Sequence, residues 1–421
     1  MEKIALLFPG QGSQYVGMGK ALYEQFAAAK QTFNEANEVL GFDLKNLCFE
    51  GSIDELTKTE NTQPALLTAS VAAFRVFMQE TGMIPAYLAG HSLGEFSALT
   101  CAGCIRFSDA LKIVRQRGKL MQEAAAASMG AMSAVIGLDR KIVEEECKKA
   151  CDSESIVVVS NYNSPDQIVV SGHKNAVSKA GDILTGLGAR VMPLKVSAPF
   201  HSPLMKPASD KFVEELIKYE YGKLEWPVMS NVTALPYTGS DGIIESLKQQ
   251  MVQAVRWQES MEYLKSQGVT AAIELGPQTV VKNLMKKNAP KIKAYAYDKD
   301  DDRQDLKKLS LETGINKIKG KSTVNLVTRC LTAAVTTKNS NWDNEEYQKG
   351  VIEPYKKIQK IQDELDNENR EPTLEEMRAA LEMLRSVLIT KKLAAAEQVE
   401  RINEILDETG TRDIFPDFKI I

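Results

Sequence analysis

The segment that most limits how this chain can fold is Gly90-His91-Ser92-Leu93-Gly94. A serine with a glycine two residues away on either side fits the sharp turn in which a strand runs straight into a helix. Side chains at the glycine positions would collide in such a turn. The flanks agree: Tyr87–Gly90 reads as a strand and Glu95–Cys101 as a helix. The turn would present the Ser92 hydroxyl at a helix N-terminus, where free N–H groups and the helix dipole favour a developing oxyanion. The rival explanation is the same five residues in an ordinary turn.

Short apolar runs alternate with helical patterns over the first three hundred residues, which suggests α/β architecture. Ile4–Phe8 and Ala271–Leu275 read as further strands, and Thr68–Thr81 and Ser108–Ala126 as helices. From about Gly130 to Val196 the order changes to β-α-β-β-α-β, the pattern of a ferredoxin-like subdomain. Its expected elements are strands at Ala131–Ile136, Ile156–Tyr162, Gln167–Ser171 and Arg190–Val196, with helices at Arg140–Ala150 and Asn175–Leu187. The expected organisation is an α/β-hydrolase-like large domain (1–127 and 198–300), an inserted ferredoxin-like subdomain (128–197) and a mostly helical C-terminal extension (301–421). The last boundary rests on the charged run Asp298–Arg303. In the extension, Leu374, Met377, Leu381, Leu384 and Leu388 form one apolar helical face, and Thr373 with Glu376 fits a capping box.

Composition removes several classes of function. A formal net charge of −4 over 421 residues argues against nucleic acid, whose partners need a basic face. No apolar run is long enough to span a bilayer, and the apolar start stops at Pro9-Gly10, too soon for a secretory signal. A cytoplasmic protein without a membrane partner is expected. Six scattered cysteines do not make a disulfide framework, and Cys101-x-x-Cys104 has no second ligand pair, so no metal is expected.

A nucleophilic serine needs a base, and the chain has three histidines. His91 adjoins Ser92 and would project elsewhere, which suits a structural role. His173 opens the second helix of the insert, where an exposed capping role is expected. His201 follows Ala198-Pro199-Phe200, rigid neighbours that could fix its ring; a purely structural histidine is the alternative. Pro9-Gly10-Gln11-Gly12-Ser13-Gln14 follows the first strand, and its glycines let the backbone approach a ligand. The N–H of Gln11 could therefore join that of Leu93 as an oxyanion donor. A phosphate loop is the rival reading, but the Walker lysine and the G-x-G-x-x-G spacing are missing. Arg117 offers a planar fork that matches a carboxylate. Buried beside the serine, it would select a carboxylated acyl group; on the surface, it would be an ordinary arginine.

Seven strings occur together and in order: Phe8–Gln14, Thr62-Gln63-Pro64-Ala65, Gly90–Glu95, Arg115-Gln116-Arg117-Gly118, Asn161-Tyr162-Asn163-Ser164-Pro165, Phe200-His201-Ser202 and Ser230-Asn231-Val232-Thr233. Over residues 1 to about 300 the chain resembles the malonyl-CoA:acyl-carrier-protein transacylase family. The resemblance implies Ser92 as acylated nucleophile, His201 as base, Gln11 and Leu93 as oxyanion hole and Arg117 as anchor for the malonyl carboxylate. It implies that a main-chain carbonyl, at Gln250, orients the histidine in place of an acid. Phe200 beside the base matches malonyl-selective relatives. No tightly bound cofactor is implied; malonyl-CoA is a substrate and acyl carrier protein domains are the partners. A monomer is usual in the family. The extension points to a free-standing enzyme acting in trans on a polyketide or mixed peptide–polyketide synthase; the helical tail could dock on the synthase or could only cover the surface of the catalytic domain. The competing expectations are a proof-reading acyl hydrolase, the transacylase of fatty-acid synthesis, and a non-catalytic scaffold.

Overall fold

The run Ile4-Ala5-Leu6-Leu7-Phe8 is apolar at every position rather than at alternate ones, the pattern of a strand covered on both faces. In the computed structural model all five residues are buried. The described residues are 3–127, 130–194, 198–312, 325–337, 339–368, 370, 372–415 and 418. Their strands are β1 (Ile4–Phe8), β2 (Tyr87–Gly90), β3 (Gly130–Ile136), β4 (Val157–Ser164), β5 (Gln167–His173), β6 (Arg190–Pro193), β7 (Val228–Met229), β8 (Ala271–Glu274) and β9 (Lys293–Ala296). Five of them form one sheet in the order β7-β2-β1-β8-β9, with every pairing parallel. Phe8 pairs with Gly90, so β1 and β2 end side by side. That shared end brings the Pro9–Gln14 loop against the turn at Ser92.

The helices that position the site are α1 (Thr59–Thr81), α2 (Leu93–Cys101) and α3 (Phe107–Ala127). Helix α1 starts at Thr59 rather than at the expected Thr68. Pro64, the sixth residue, lies inside it without ending it; it forgoes one intrahelical hydrogen bond, to the Glu60 carbonyl, against the burial of most of the helix around it. Leu66, Leu67, Phe77, Phe96, Leu99 and Leu111 from the three helices share one core with β1 and β2.

The other four strands form an antiparallel sheet in the order β4-β5-β3-β6. Helices α4 (Arg140–Ala150) and α5 (Lys174–Gly186) pack on it through Val143, Cys147, Ala176, Val177 and Leu184. The β-α-β-β-α-β order expected from the sequence is the observed order. The expected end of β6, at Val196, lies outside the described residues. Two further helices matter below, α6 (Ile243–Gln250) and α7 (Val280–Asn288).

The chain divides into two compact units, Met1–Ile315 and Asn316–Ile421. The division falls later than the expected boundary at residue 300. The helix Asp300–Glu312 belongs to the first unit because Leu306 is fully buried in its core. Asp302 also accepts a hydrogen bond from the Ala296 N–H and pairs with Lys282. The second unit holds α8 (Leu326–Thr336), α9 (Glu353–Glu368), α10 (Leu374–Thr390) and α11 (Ala395–Glu408) around its own core. Leu381, Leu384 and Leu388 are buried there, but Leu374 is 60 % exposed, since it opens α10 beyond the core. The Thr373–Glu376 capping box is present. Lys391 is buried and donates to the carbonyls of Ala334 and Thr337, satisfying the end of α8.

Candidate active site

Ser92 sits between β2 and α2 with φ 52° and ψ −104°, a conformation that non-glycine residues seldom adopt. Its neighbours leave no alternative. A Cβ on Gly90 would lie 1.9 Å from the Gly94 carbonyl, and one on Gly94 would lie 2.1 Å from the Phe8 carbonyl oxygen. Asn231 clasps the turn from the side. Its Oδ1 accepts from the Ser92 N–H at 2.7 Å and its Nδ2 donates to the Gly90 carbonyl at 2.7 Å.

The Ser92 Oγ lies 2.8 Å from His201 Nε2. His201 Nδ1 lies 2.6 Å from the Gln250 main-chain oxygen. A carbonyl oxygen only accepts, so Nδ1 carries the proton and Nε2 presents its lone pair to the serine. Burial, followed by the nearby Arg117 guanidinium, lowers the imidazole pKa to about 3. The ring is therefore neutral at physiological pH and able to take the hydroxyl proton.

Arg117 comes from the middle of α3 and is 1 % exposed. Its Nη1 donates to Gln63 Oε1 at 2.9 Å. Its Nη2 donates to Gln250 Oε1 at 2.9 Å and to Ser92 Oγ at 3.2 Å. The guanidinium also lies over the Phe96 ring, 5.3 Å from its centroid. A buried cation beside a hydroxyl nucleophile suits a substrate that brings a carboxylate. Glu95, fully buried behind it, accepts from Gln250, Tyr237 and the Asn231 N–H, and burial raises its pKa to about 7.

These groups open onto a cavity of about 440 Å³ between the ends of the parallel strands and the antiparallel sheet. Gln11, Leu93, Phe200 and Met132 line it together with Ser92, His201 and Arg117. Leu93 opens α2, so its N–H has no carbonyl within the helix. All the residues singled out from the sequence thus meet in one place: Gln11, Ser92, Leu93, Arg117, Phe200, His201 and Gln250.

Of the remaining histidines, His91 has the structural contacts expected of it and His173 differs in detail. His91 Nε2 meets Asn163 Oδ1 of β4 at 2.8 Å, and its ring packs on Trp257. His173 is the N-cap residue of α5, yet its side chain does not cap the helix. It accepts instead from the N–H of Ile156, the residue just before β4, at 3.0 Å. Cys101 and Cys104 are both buried, and burial pushes their thiols up, Cys104 to about 11. No group of potential metal ligands occurs among the described residues. The side-chain roles of Gln63, Glu95 and Asn231 were not legible from the sequence. The available signals were their places in three of the seven strings and, for Glu95, a charge inside the otherwise uncharged helix Leu93–Cys101.

Comparison with known proteins gives a consistent result. The family model described as "Acyl transferase domain" matches residues 5–305. A malonyl CoA-acyl carrier protein transacylase of Bacillus subtilis is 39 % identical over 403 residues, 95 % of this chain and 99 % of that protein. The protein of that name from Escherichia coli K12 is 46 % identical over 299 residues, 71 % of this chain and 96 % of that protein. A solved malonyl-transacylase, in complex with its type II PKS acyl-carrier protein, superposes with a TM-score of 0.69 at 44 % identity. It covers 74 % of this chain and 99 % of its own.

Proposed function

This chain belongs to the acyl transferase family, among the malonyl-CoA:acyl-carrier-protein transacylases, and from that membership we propose how its own residues carry a malonyl group from coenzyme A to a carrier-protein thiol. The observation that carries the reading is the buried Arg117 guanidinium 3.2 Å from Ser92 Oγ, on a serine already paired with a neutral imidazole. A hydrolase of simple acyl groups has no use for that cation.

In the first half-reaction the malonyl carboxylate exchanges onto Arg117. Ser92 Oγ attacks the thioester carbonyl as His201 Nε2 takes its proton, and the tetrahedral oxyanion is held by the N–H groups of Gln11 and Leu93. Collapse breaks the C–S bond, and His201 returns the proton to the departing thiolate. In the second half-reaction the phosphopantetheine thiol of a carrier protein gives its proton to His201 and attacks the malonyl-serine ester; the C–O bond breaks and His201 returns the proton to Ser92 Oγ. A general base at this position is worth about 10²–10⁴-fold, and one oxyanion donor about 10²–10³-fold. Phe200, on the cavity wall, disfavours an added methyl by about 1–3 kcal/mol. The two sheets are read as a hydrolase-like large domain with a ferredoxin-like insert, and the enzyme is placed in the cytoplasm beside its carriers, with no bound cofactor.

The second unit supports a finer reading. The B. subtilis match spans 403 residues and so extends into Asn316–Ile421, whereas the E. coli match uses 96 % of that protein within 299 residues. The matches show only that the extension recurs in a relative; on the family resemblance set out above, the chain is proposed to act in trans, as a monomer, on several carrier domains of a polyketide or mixed peptide–polyketide synthase.

Intact-mass analysis after mixing with malonyl-CoA tests the central claim. Wild type should gain one malonyl group and Ser92→Ala none. Arg117→Ala should load malonyl poorly while loading acetyl as well or better. Malonyl loading on Ser92→Ala would overturn the assignment.

A further inference from the structure

Glu95 is a buried carboxyl group that the transfer chemistry does not use. It is the single carboxylate in Leu93–Cys101, a helix in which all nine residues are buried, and it is not part of the cavity wall. A carboxylate so placed costs folding free energy unless its surroundings compensate it. Its Oε1 lies 2.6 Å from the Tyr237 hydroxyl and 3.3 Å from the Asn231 N–H, and its Oε2 accepts from Gln250 Nε2 at 2.6 Å.

The third contact leads to the reacting groups. Gln250 Nε2 also donates to the Ser92 carbonyl at 2.9 Å, and Gln250 Oε1 accepts from Arg117 Nη2 at 2.9 Å. The amide can sit only one way round. Reversed, its oxygen would face a carboxylate and a carbonyl, and its NH₂ would face a guanidinium. Glu95 therefore makes the shortest of the three contacts that hold this orientation, the other two being those of the Ser92 carbonyl and the Arg117 guanidinium. Through the main chain of Gln250 it adjoins the support of His201.

We propose that Glu95 is a positioning residue for carboxylate selectivity: by fixing the Gln250 amide it aims the Arg117 fork at the acyl carboxylate without itself touching substrate. The idea rests on the malonyl-transfer reading above. Glu95→Gln cannot reproduce the arrangement, because its NH₂ must face either Gln250 Nε2 or the Asn231 N–H, both donors. Glu95→Asp keeps the carboxyl group one methylene shorter.

The test measures initial rates of acyl-serine formation from malonyl-CoA and from acetyl-CoA, with thermal midpoints, for wild type, Glu95→Gln, Glu95→Asp, Arg117→Ala and the double variant Glu95→Gln/Arg117→Ala. Glu95→Gln should lose about tenfold or more with malonyl-CoA and under about threefold with acetyl-CoA. Glu95→Asp should recover part of the malonyl preference. In the Arg117→Ala background, adding Glu95→Gln should change the malonyl-to-acetyl ratio by less than about twofold, since the path ends at Arg117. An unchanged ratio in Glu95→Gln, with the ratio collapsed in Arg117→Ala, overturns the proposal and leaves the function intact. Equal loss of both rates with a lowered midpoint, or failure of both Glu95 variants to fold, also overturns it by assigning Glu95 to stability. A wild type without malonyl preference sinks the functional reading, and this proposal with it.

Discussion

At Ser92 and His201 the backbone is held at φ 52° and 56°, so both members of the reacting pair occupy conformations that cost free energy in isolation. The surrounding contacts over-determine them: glycines with no room for a Cβ, the Asn231 clasp, and the Gln250 carbonyl on His201 Nδ1. Burial makes the imidazole hard to charge, with a folded pKa near 3 against an ordinary value near 6.5. As pH falls below about 6.5 the unfolded chain takes up this proton before the folded one does. The stability contributed by neutral His201 is therefore complete above about 6.5 and is lost progressively toward pH 3. Heteronuclear NMR of the imidazole nitrogens should find His201 as the neutral Nδ1–H tautomer at pH 5, with His201→Ala identifying its signals. An imidazolium signal from His201 at that pH would contradict the geometry. The sequence already showed a serine and a short choice of bases. It did not show that the base would be neutral, because that depends on what buries it.

Helices α2 and α3 show how an element delivers a residue. Arg117 stands twenty-five positions after Ser92, and an unbroken helix would carry it far from the turn. Instead α2 ends at Cys101, α3 begins at Phe107, and α3 returns past the end of α2. The return is tight. A Cβ on Gly118 would lie 2.6 Å from the Thr59 carbonyl oxygen and 2.7 Å from the Glu60 Cα, both at the start of α1. Glycine to alanine inside a helix normally stabilises by about 1 kcal/mol. Here the backbone contact decides the sign, and Gly118→Ala should cost about 1–3 kcal/mol. It should also push α3 off α1 and lower the malonyl-to-acetyl loading ratio. Denaturant titration and the mass assay would check both, and a stabilised variant with unchanged ratio would refute the account. The residues Thr62–Ala65 could be matched to a family string, but their place inside α1 was hidden by Pro64.

Over the whole molecule, two units with separate cores predict separable behaviour. A chain ending at Ile315 should keep the thermal transition of the first unit and load malonyl within about twofold of the full chain, since all the reacting groups lie before it. A chain ending at 300 should be less stable, because Leu306 and the Asp302 contacts are lost; one buried leucine alone is worth about 1.5–3 kcal/mol. Equal stability of the two truncations would show that the helix Asp300–Glu312 contributes nothing. The amino-acid sequence by itself determined the α/β order, the turn at Ser92 and the set of groups available for chemistry, since strand pattern, glycine spacing and residue type are local properties. Only the tertiary structure decided that Ser92, Arg117 and His201 would share one cavity with Gln250 bonded behind them, which way the Gln250 amide faces, and where the first unit ends. Those facts depend on contacts between segments up to about a hundred and sixty residues apart, and on the desolvation that such contacts bring, which no local pattern records.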